Sequence, residues 1–321
     1  MSGAAIAYRD ALRTSRPFNE FENAVLSGLR KTPKELPCKY FYDAEGSALF
    51  DRICELPEYY PTRTETALLR AHANEFADLV GENADLIEFG AGSLQKVSYL
   101  LRAMDKPHSY IPIDISGDYL HQMAEKLRRD RPGLTVRPVI ADFTRSLQLP
   151  VSGTRRVGFF PGSTIGNFTR VEALAFLQRA AALLRGGGLL IGVDLVKDPA
   201  MLHAAYNDRA GVTALFNKNI LARANQELEA DFDLDAFAHH APYNPAAQRI
   251  EMHLISMKNQ TVSIGGHTIP FIEGETIHTE NSHKYTPDGF RSLAETAGFK
   301  PRAMWCDPEK LFSLHWLDAP G

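Results

Sequence analysis

Apolar and polar positions along the chain follow two different rhythms, and the change between them divides the protein. From residue 85, short apolar runs alternate with stretches of helical periodicity. Asp85-Leu-Ile-Glu-Phe89 is a compact run stopped by Gly90-Ala-Gly92, the pattern of a strand buried on both faces. Leu94, Val97, Leu101 and Met104 follow at helical spacing. Tyr110-Ile-Pro-Ile-Asp114 predicts a second strand ending on an acid, and Ser116 is placed to cap a helix with Leu120, Met123, Ala124 and Leu127 on its inward face. Leu134 to Val139 predicts a third strand and Val157 to Phe160 a fourth. Thr169-x-x-Glu172 has the form of a capping box, opening an Ala/Leu-rich helix that stops at Gly186-Gly-Gly188. Leu189 to Leu195 is a fifth, almost wholly apolar strand. Strands and helices alternating at these lengths predict an α/β fold with a doubly wound, Rossmann-like parallel sheet.

Beyond residue 195 the rhythm changes. Residues 199–229 read as helical, with Pro199 suited to a first turn. Ile250, Met252 and Leu254 then alternate with polar neighbours, and Gly265-Gly266 separates two β-type runs, a hairpin signal. From Thr286 the helical code returns, with Thr286 as cap, Pro287 and Asp288 in the first turn and Gly298 at the stop. Strands near 299–306 and 311–317 are expected to finish the sheet. The simplest division is a core of 61–195 with 286–321, and a second, α+β lobe made of 1–60 with 196–285. Ligands of open α/β sheets bind at the carboxyl ends of the strands, which puts the expected site between the two.

Composition narrows the classes of partner. A chain of 321 residues with 44% hydrophobic and 23% charged residues is globular and long enough for two cores. With 35 basic against 39 acidic residues and no Lys/Arg block, no nucleic-acid or anionic membrane surface is expected, and the partner should be small. Cys38, Cys54 and Cys306 are odd in number and have no ligand spacing, so they read as reduced thiols of a cytoplasmic protein. The chain is expected to act as a monomer and to hold no metal. His278 and His283 fall on opposite faces by strand alternation, and no other ligand pattern supports a site.

The chemistry sits on the strand ends. Glycines at 90 and 92 let the backbone approach a ligand that a Cβ would block. The dinucleotide fingerprint GxGxxG is not met, because Gln95 takes its third position, and no Gly-Lys-Ser/Thr follows for a phosphate loop. What remains is a loop for a nucleoside without a pyrophosphate. Asp114 can accept hydrogen bonds from ribose hydroxyls, the alternative being a helix-capping role. Asp142-Phe143 can read an adenine, with a carboxylate for the amine and an aromatic face for the ring. Lys96, early in the following helix, can pair with a ligand carboxylate or lie exposed on the helix surface.

Longer motifs surround these residues: Lys39-Tyr-Phe-Tyr-Asp43, Leu56-Pro-Glu-Tyr-Tyr-Pro-Thr-Arg-Thr-Glu65, Glu88–Gly92 with Lys96, and Pro161-Gly-Ser-Thr-Ile-Gly-Asn-Phe168. Asp194-Leu-Val-Lys-Asp198, Phe216-Asn-Lys-Asn219, Asp231-Phe-Asp-Leu-Asp235, Arg249-Ile-Glu-Met252 and Glu280-Asn-Ser282 follow. On these, the chain resembles the ergothioneine-pathway histidine Nα-methyltransferases over nearly its whole length. The resemblance implies a class I methyltransferase core with a separate substrate lobe, converting L-histidine to hercynine by three methyl transfers from S-adenosyl-L-methionine, with S-adenosyl-L-homocysteine as product. It also implies that the cofactor is held by Gly90, Lys96, Asp114, Asp142 and Phe143, and histidine by Tyr59, Asn167, Tyr206 and Glu280 to Ser282. Asn281-Ser282-His283 departs from the Val-Ser-Cys more usual there.

Methyl transfer from a sulfonium needs a neutral amine aimed at the methyl carbon and little covalent help, so positioning should carry the catalysis. Tyr42 is the candidate for ordering the amine or a water beside it, unless it is only a packed aromatic. Asn167 can bond the amino acid's carboxylate or amine, and Tyr206 can add a hydroxyl to the carboxylate. Glu280 and Ser282, two apart on an extended segment, share a face and can together bond both imidazole nitrogens. Tyr59 can close that pocket. Met252 and Glu280 together favour histidine over tryptophan, the alternative acceptor.

Overall fold

The computed structural model describes residues 20–92, 94–149 and 155–321, so residues 1–19 of the expected second lobe lie outside the described residues. Among the described residues fourteen strands follow in chain order: β1 (Lys34–Glu35), β2 (Asp85–Phe89), β3 (Ser109–Asp114), β4 (Val139–Ile140), β5 (Arg156–Phe160), β6 (Gly188–Asp194), β7 (Phe237–His240), β8 (Tyr243–Asn244), β9 (Arg249–Ser256), β10 (Gln260–Ile264), β11 (His267–Phe271), β12 (Thr276–His283), β13 (Lys300–Cys306) and β14 (Phe312–Asp318). Seven of them form one sheet in the order β13-β14-β6-β5-β2-β3-β4. The five strands from β2 to β6 run parallel, and β14 and β13 close the edge antiparallel. This is a doubly wound parallel sheet with an antiparallel edge.

Successive side chains in its strands serve different cores. Leu86, Phe159 and Leu190 join the cluster on one face, whereas Ile87, Phe160 and Ile191 join the other. Burial on both faces is why these strands read as unbroken apolar runs rather than as alternation. Each such side chain contributes about 1.5–3 kcal/mol by leaving water. The connections run outward from β2 through β3 to β4, then return to β5 and β6 on the other side of β2. The reversal opens a crevice at the carboxyl ends of β2 and β5.

The second sheet, β1-β12-β9-β7 with β8 beside β9, packs on a separate cluster drawn from residues 21–60 and 202–277. In β9 Ile250, Met252, Leu254 and Ser256 are buried and their neighbours are not, as the alternation predicts. The Gly265-Gly266 hairpin joins β10 to β11, with both glycines at positive φ (54° and 87°). Thr286 accepts from the Gly289 amide at the start of the helix Pro287–Thr296, and Thr169 and Glu172 form both bonds of their capping box.

Four expectations change. The strand expected over Leu134 to Val139 shrinks to β4 and one bridge from Val136 to Tyr110, because Pro138 has no N–H to continue the ladder. The helical stretch 199–229 is two helices, Pro199–Tyr206 and Val212–Leu228, split at Gly211 (φ 73°), and the Asp208 carboxylate caps the second through the Val212 and Thr213 amides. Ser116 stands at its helix start but its hydroxyl does not cap; it donates to the carbonyl of Tyr42 (3.2 Å). The register of β12 shifts between His278 and Glu280, which breaks the alternation count that set His278 and His283 on opposite faces. Among the described residues no group of His, Cys, Asp or Glu is disposed to hold a metal, and no helix is long and apolar enough to cross a membrane.

Candidate active site

A cavity of about 800 Å³ lies over the carboxyl ends of β2, β3 and β5, roofed by the second sheet and the helices between residues 38 and 71. Gly90, Lys96, Asp114, Asp142, Phe143 and, in the turn after β5, Asn167 line it from the sheet side; Tyr42, Tyr59, Tyr206, Met252, Glu280 and Ser282 line it from the other. Asn281 does not. It stands opposite Glu251 on the outer face of β12, since neighbouring residues of a strand point to opposite sides and Glu280 and Ser282 take the inward one.

On the sheet side, Gly90 turns the chain at φ 73°, and a Cβ there would sit 3.3 Å from the Phe143 ring, so only glycine leaves the cleft between them open. Asp114 is tied by the Ser116 amide (2.8 Å), which aims its carboxylate at the cavity rim, and burial raises its pKa. Burial also opposes the charge of Asp142, but hydrogen bonds from Thr144 and Lys39 outweigh it and hold this carboxyl below its usual range. Beneath the glycine turn, the buried Glu88 accepts from Tyr110, and burial pushes its carboxyl up to about 8. A side-chain-free turn, a carboxylate on β3 and an acid-aromatic pair after β4 fit a nucleoside with ribose hydroxyls and an exocyclic amine.

The opposite wall is aromatic and polar. Tyr42 meets Phe50 and Phe216 edge-on, each with ring centroids 5.7 Å apart, and burial drives its phenol well above 10. It therefore stays protonated at neutral pH and can order an amine or water but not take a proton. Tyr59 packs edge-on against Tyr206 (6.3 Å). Glu280 and Ser282 are buried on the inward face of β12, across from Met252 and Ile250. Burial raises Glu280 to about 7, partly offset by the charge of Lys284.

Two buried charge networks underlie the cavity, and neither was legible in the sequence. Glu65, fully buried, accepts from the Gly162 amide through both oxygens (2.8 and 2.9 Å) and pairs with Lys96 (2.6 Å). Lys96 is therefore neither a lone exposed cation nor one waiting only for a ligand. A Cβ on Gly192 would lie 2.1 Å from a Glu65 oxygen, so a glycine in β6 makes room for the carboxylate. The second network centres on Asp194, at the end of β6, which accepts from Tyr60 and pairs with Lys197 (2.5 Å) and Lys284 (2.7 Å). Burial works against the charge on Lys284, yet Asp194 and Tyr206 outweigh it and keep the ammonium protonated above its ordinary range. Lys197 lies nearest the opposite outcome: burial pulls it down to about 8 despite Asp194. Glu65 and Asp194 fall inside motifs noted in the sequence, whereas Lys284 follows Ser282 and His283 with no pattern to mark it.

A family model described as histidine-specific methyltransferase, SAM-dependent, matches residues 21–319. The chain is 44% identical to the histidine N-alpha-methyltransferase of Mycobacterium tuberculosis, covering 90% of this chain and 92% of that protein. It is 42% identical to the Mycolicibacterium smegmatis protein of the same name, over 90% and 92% of the two chains. Ergothioneine biosynthesis protein 1 of Neurospora crassa is 30% identical over 89% of this chain and 33% of its own length. Among solved structures, the CcbJ methyltransferase from Streptomyces caelestis superposes with a TM-score of 0.47 at 17% identity, covering 78% of this chain and 89% of that one. With the sheet order, the glycine turn and a match from residue 21 to residue 319, this chain belongs to the histidine-specific, S-adenosylmethionine-dependent methyltransferases.

Proposed function

We propose that this methyltransferase binds L-histidine against Glu280 and Ser282 and methylates its α-amino group three times, giving hercynine. The observation that carries this is the pair itself: a buried carboxylate and a buried hydroxyl on one face of β12, in the same cavity as Gly90 and Asp114. In this reading residues 61–195 with 286–321 form the cofactor-binding core and the preceding segment with 196–285 the substrate lobe. The enzyme acts as a single chain in the cytoplasm, its three cysteines free.

S-adenosylmethionine supplies an electrophilic methyl group on a sulfonium and leaves as S-adenosylhomocysteine. Asp114 holds the ribose hydroxyls, Asp142 and Phe143 the adenine, and Lys96, already neutralised on one side by Glu65, offers its remaining N–H groups to the carboxylate of the methionine moiety. Asn167 holds the carboxylate of histidine, Tyr206 lines the pocket beside Ser282, and Tyr42 orders the amine. Glu280 accepts the imidazole N–H, and Ser282 meets the other ring nitrogen. Phenylalanine fails this test because both buried groups lose their partners. Catalysis is by placement: the amine arrives neutral from solution, the ammonium formed by the first and second transfers gives its proton to solvent before the next, and the protein holds the lone pair in line with the methyl group.

Methyl transfer measured across the amino acids should favour histidine, with the trimethylated product accumulating. Glu280→Gln should weaken histidine binding roughly ten- to a hundredfold, the cost of a lost charged hydrogen bond, and leave adenosylhomocysteine binding within about twofold. Comparable turnover on tryptophan, or equal losses for both ligands, would overturn the assignment.

A further inference from the structure

Lys284 is fully buried and its ammonium group has three hydrogens and no acceptor. Each hydrogen has one partner: Asp194 Oδ2 at 2.7 Å, Ser282 Oγ at 2.7 Å and Tyr206 Oη at 3.1 Å. Both hydroxyl oxygens must therefore accept from Lys284. They also lie 2.6 Å from each other, so one hydroxyl donates to the other. A phenol is the stronger acid and the better donor, and an aliphatic hydroxyl oxygen the better acceptor. The hydrogen between them accordingly belongs to Tyr206. Ser282 Oγ then has both lone pairs engaged, one by Lys284 and one by Tyr206, and its own hydrogen is left for the cavity that Ser282 lines.

We propose that Lys284 is a positioning residue that fixes the direction of the Ser282 hydroxyl, so that Ser282 meets the substrate only as a hydrogen-bond donor. The consequence is a selection rule for the side chain bound there. Glu280, when ionised, can only accept, and Ser282 can only donate. The two together read a neutral ring that carries an N–H on one side and a bare nitrogen lone pair on the other. A neutral imidazole matches in one tautomer. A pyrrole or indole ring has the N–H but no lone pair, and leaves the Ser282 hydrogen unpaired in a buried site. The rule rests on histidine being the substrate, but it concerns how the ring is chosen. Lys284 does this while bonded to Asp194 of β6, so the carboxyl end of a core strand sets the direction of a hydroxyl in the other sheet.

The test is a double-mutant cycle on histidine binding with adenosylhomocysteine present. Lys284→Met keeps the length of the side chain, and Asp194 retains Lys197 and Tyr60 as partners. Lys284→Met alone should raise the histidine dissociation constant by about tenfold, an ordinary hydrogen bond's worth, with adenosylhomocysteine binding within about twofold. Placed on Ser282→Ala, the same change should raise it less than about twofold, because the hydroxyl through which Lys284 acts is gone. An equal factor in both backgrounds, or no effect in the wild-type background, overturns the proposal. A second measurement needs only Ser282→Ala. Wild type should bind histidine at least about tenfold tighter than β-pyrrolylalanine, and Ser282→Ala should lose most of that preference; the same preference in both proteins overturns the proposal as well. Failure of wild type to bind or methylate histidine at all would instead refute the function proposed above.

Discussion

Replacing Glu65 by alanine removes the acceptor that holds Lys96 and the Gly162 amide together. The carboxylate is fully buried, 2.6 Å from Lys96 Nζ and 2.8 Å from the Gly162 nitrogen. Deleting one member of a buried ion pair costs about 3–5 kcal/mol, because the other is left charged and dry. The Lys96 side chain retains 16% exposure beside a cavity that water can enter, which sets the expectation at the low end, about 3 kcal/mol. At roughly 2 °C per kcal/mol for a chain of this length, the melting temperature should fall by about 6 °C. Glu65→Gln keeps an oxygen for the Gly162 amide and loses only the charge facing Lys96, so it should melt between Glu65→Ala and wild type. Because Gly162 begins the turn that carries Asn167, Glu65→Ala should also raise KM for histidine. Differential scanning calorimetry of the three proteins decides it. A Glu65→Ala melt within about 1 °C of wild type, or a Glu65→Gln protein no better than the alanine variant, would refute the idea that this carboxylate ties helix to loop.

Two further outcomes follow from single residues. Gly90→Ala places a β-carbon on a left-handed residue and 3.3 Å from the Phe143 ring; the strain of about 1–2 kcal/mol should weaken adenosylhomocysteine roughly tenfold, and unchanged affinity by titration would remove the glycine turn from the cofactor site. His315 is pushed down to about 4 by burial and by Arg291, against its ordinary 6.5. The unfolded chain therefore takes up this proton first as pH falls, so stability is lost from about pH 6.5 toward 4, and His283, also near 4, adds to the same limb. His315→Gln should flatten melting temperature against pH in that window; parallel curves for the two proteins would contradict the assignment.

Local pattern was enough for the core of this protein. Strands buried on both faces have to be continuously apolar, helix starts need a hydroxyl or carboxylate, and tight turns need glycine, so β2, β3, β5 and β6, the Thr169 and Thr286 caps and the Gly90 turn could all be read from short windows. The strand-end position of Asp114, Asp142 and Phe143 followed from the same windows, because in an open α/β sheet the ligand side is dictated by strand direction. Three residues of one short segment show where that reasoning stops. Glu280 and Ser282 point inward as extended neighbours two apart must, but Asn281 between them cannot, and the register shift just before Glu280 was invisible without the partner strand. Pro138 cut short a strand that hydrophobicity alone prolonged.

Tertiary structure alone decided which charges meet. Glu65 and Lys96, or Asp194 and Lys284, lie far apart in the chain, and nothing in the segment around each names its partner. A charge enters the interior only where the fold supplies its counter-charge and hydrogen bonds, so its partner is a property of the assembled sheets and not of the segment that carries it. The apolar rhythm is written residue by residue, because each side chain need only know which way water lies. The polar wiring of the site exists only once β6, β12 and the helices over them are brought together.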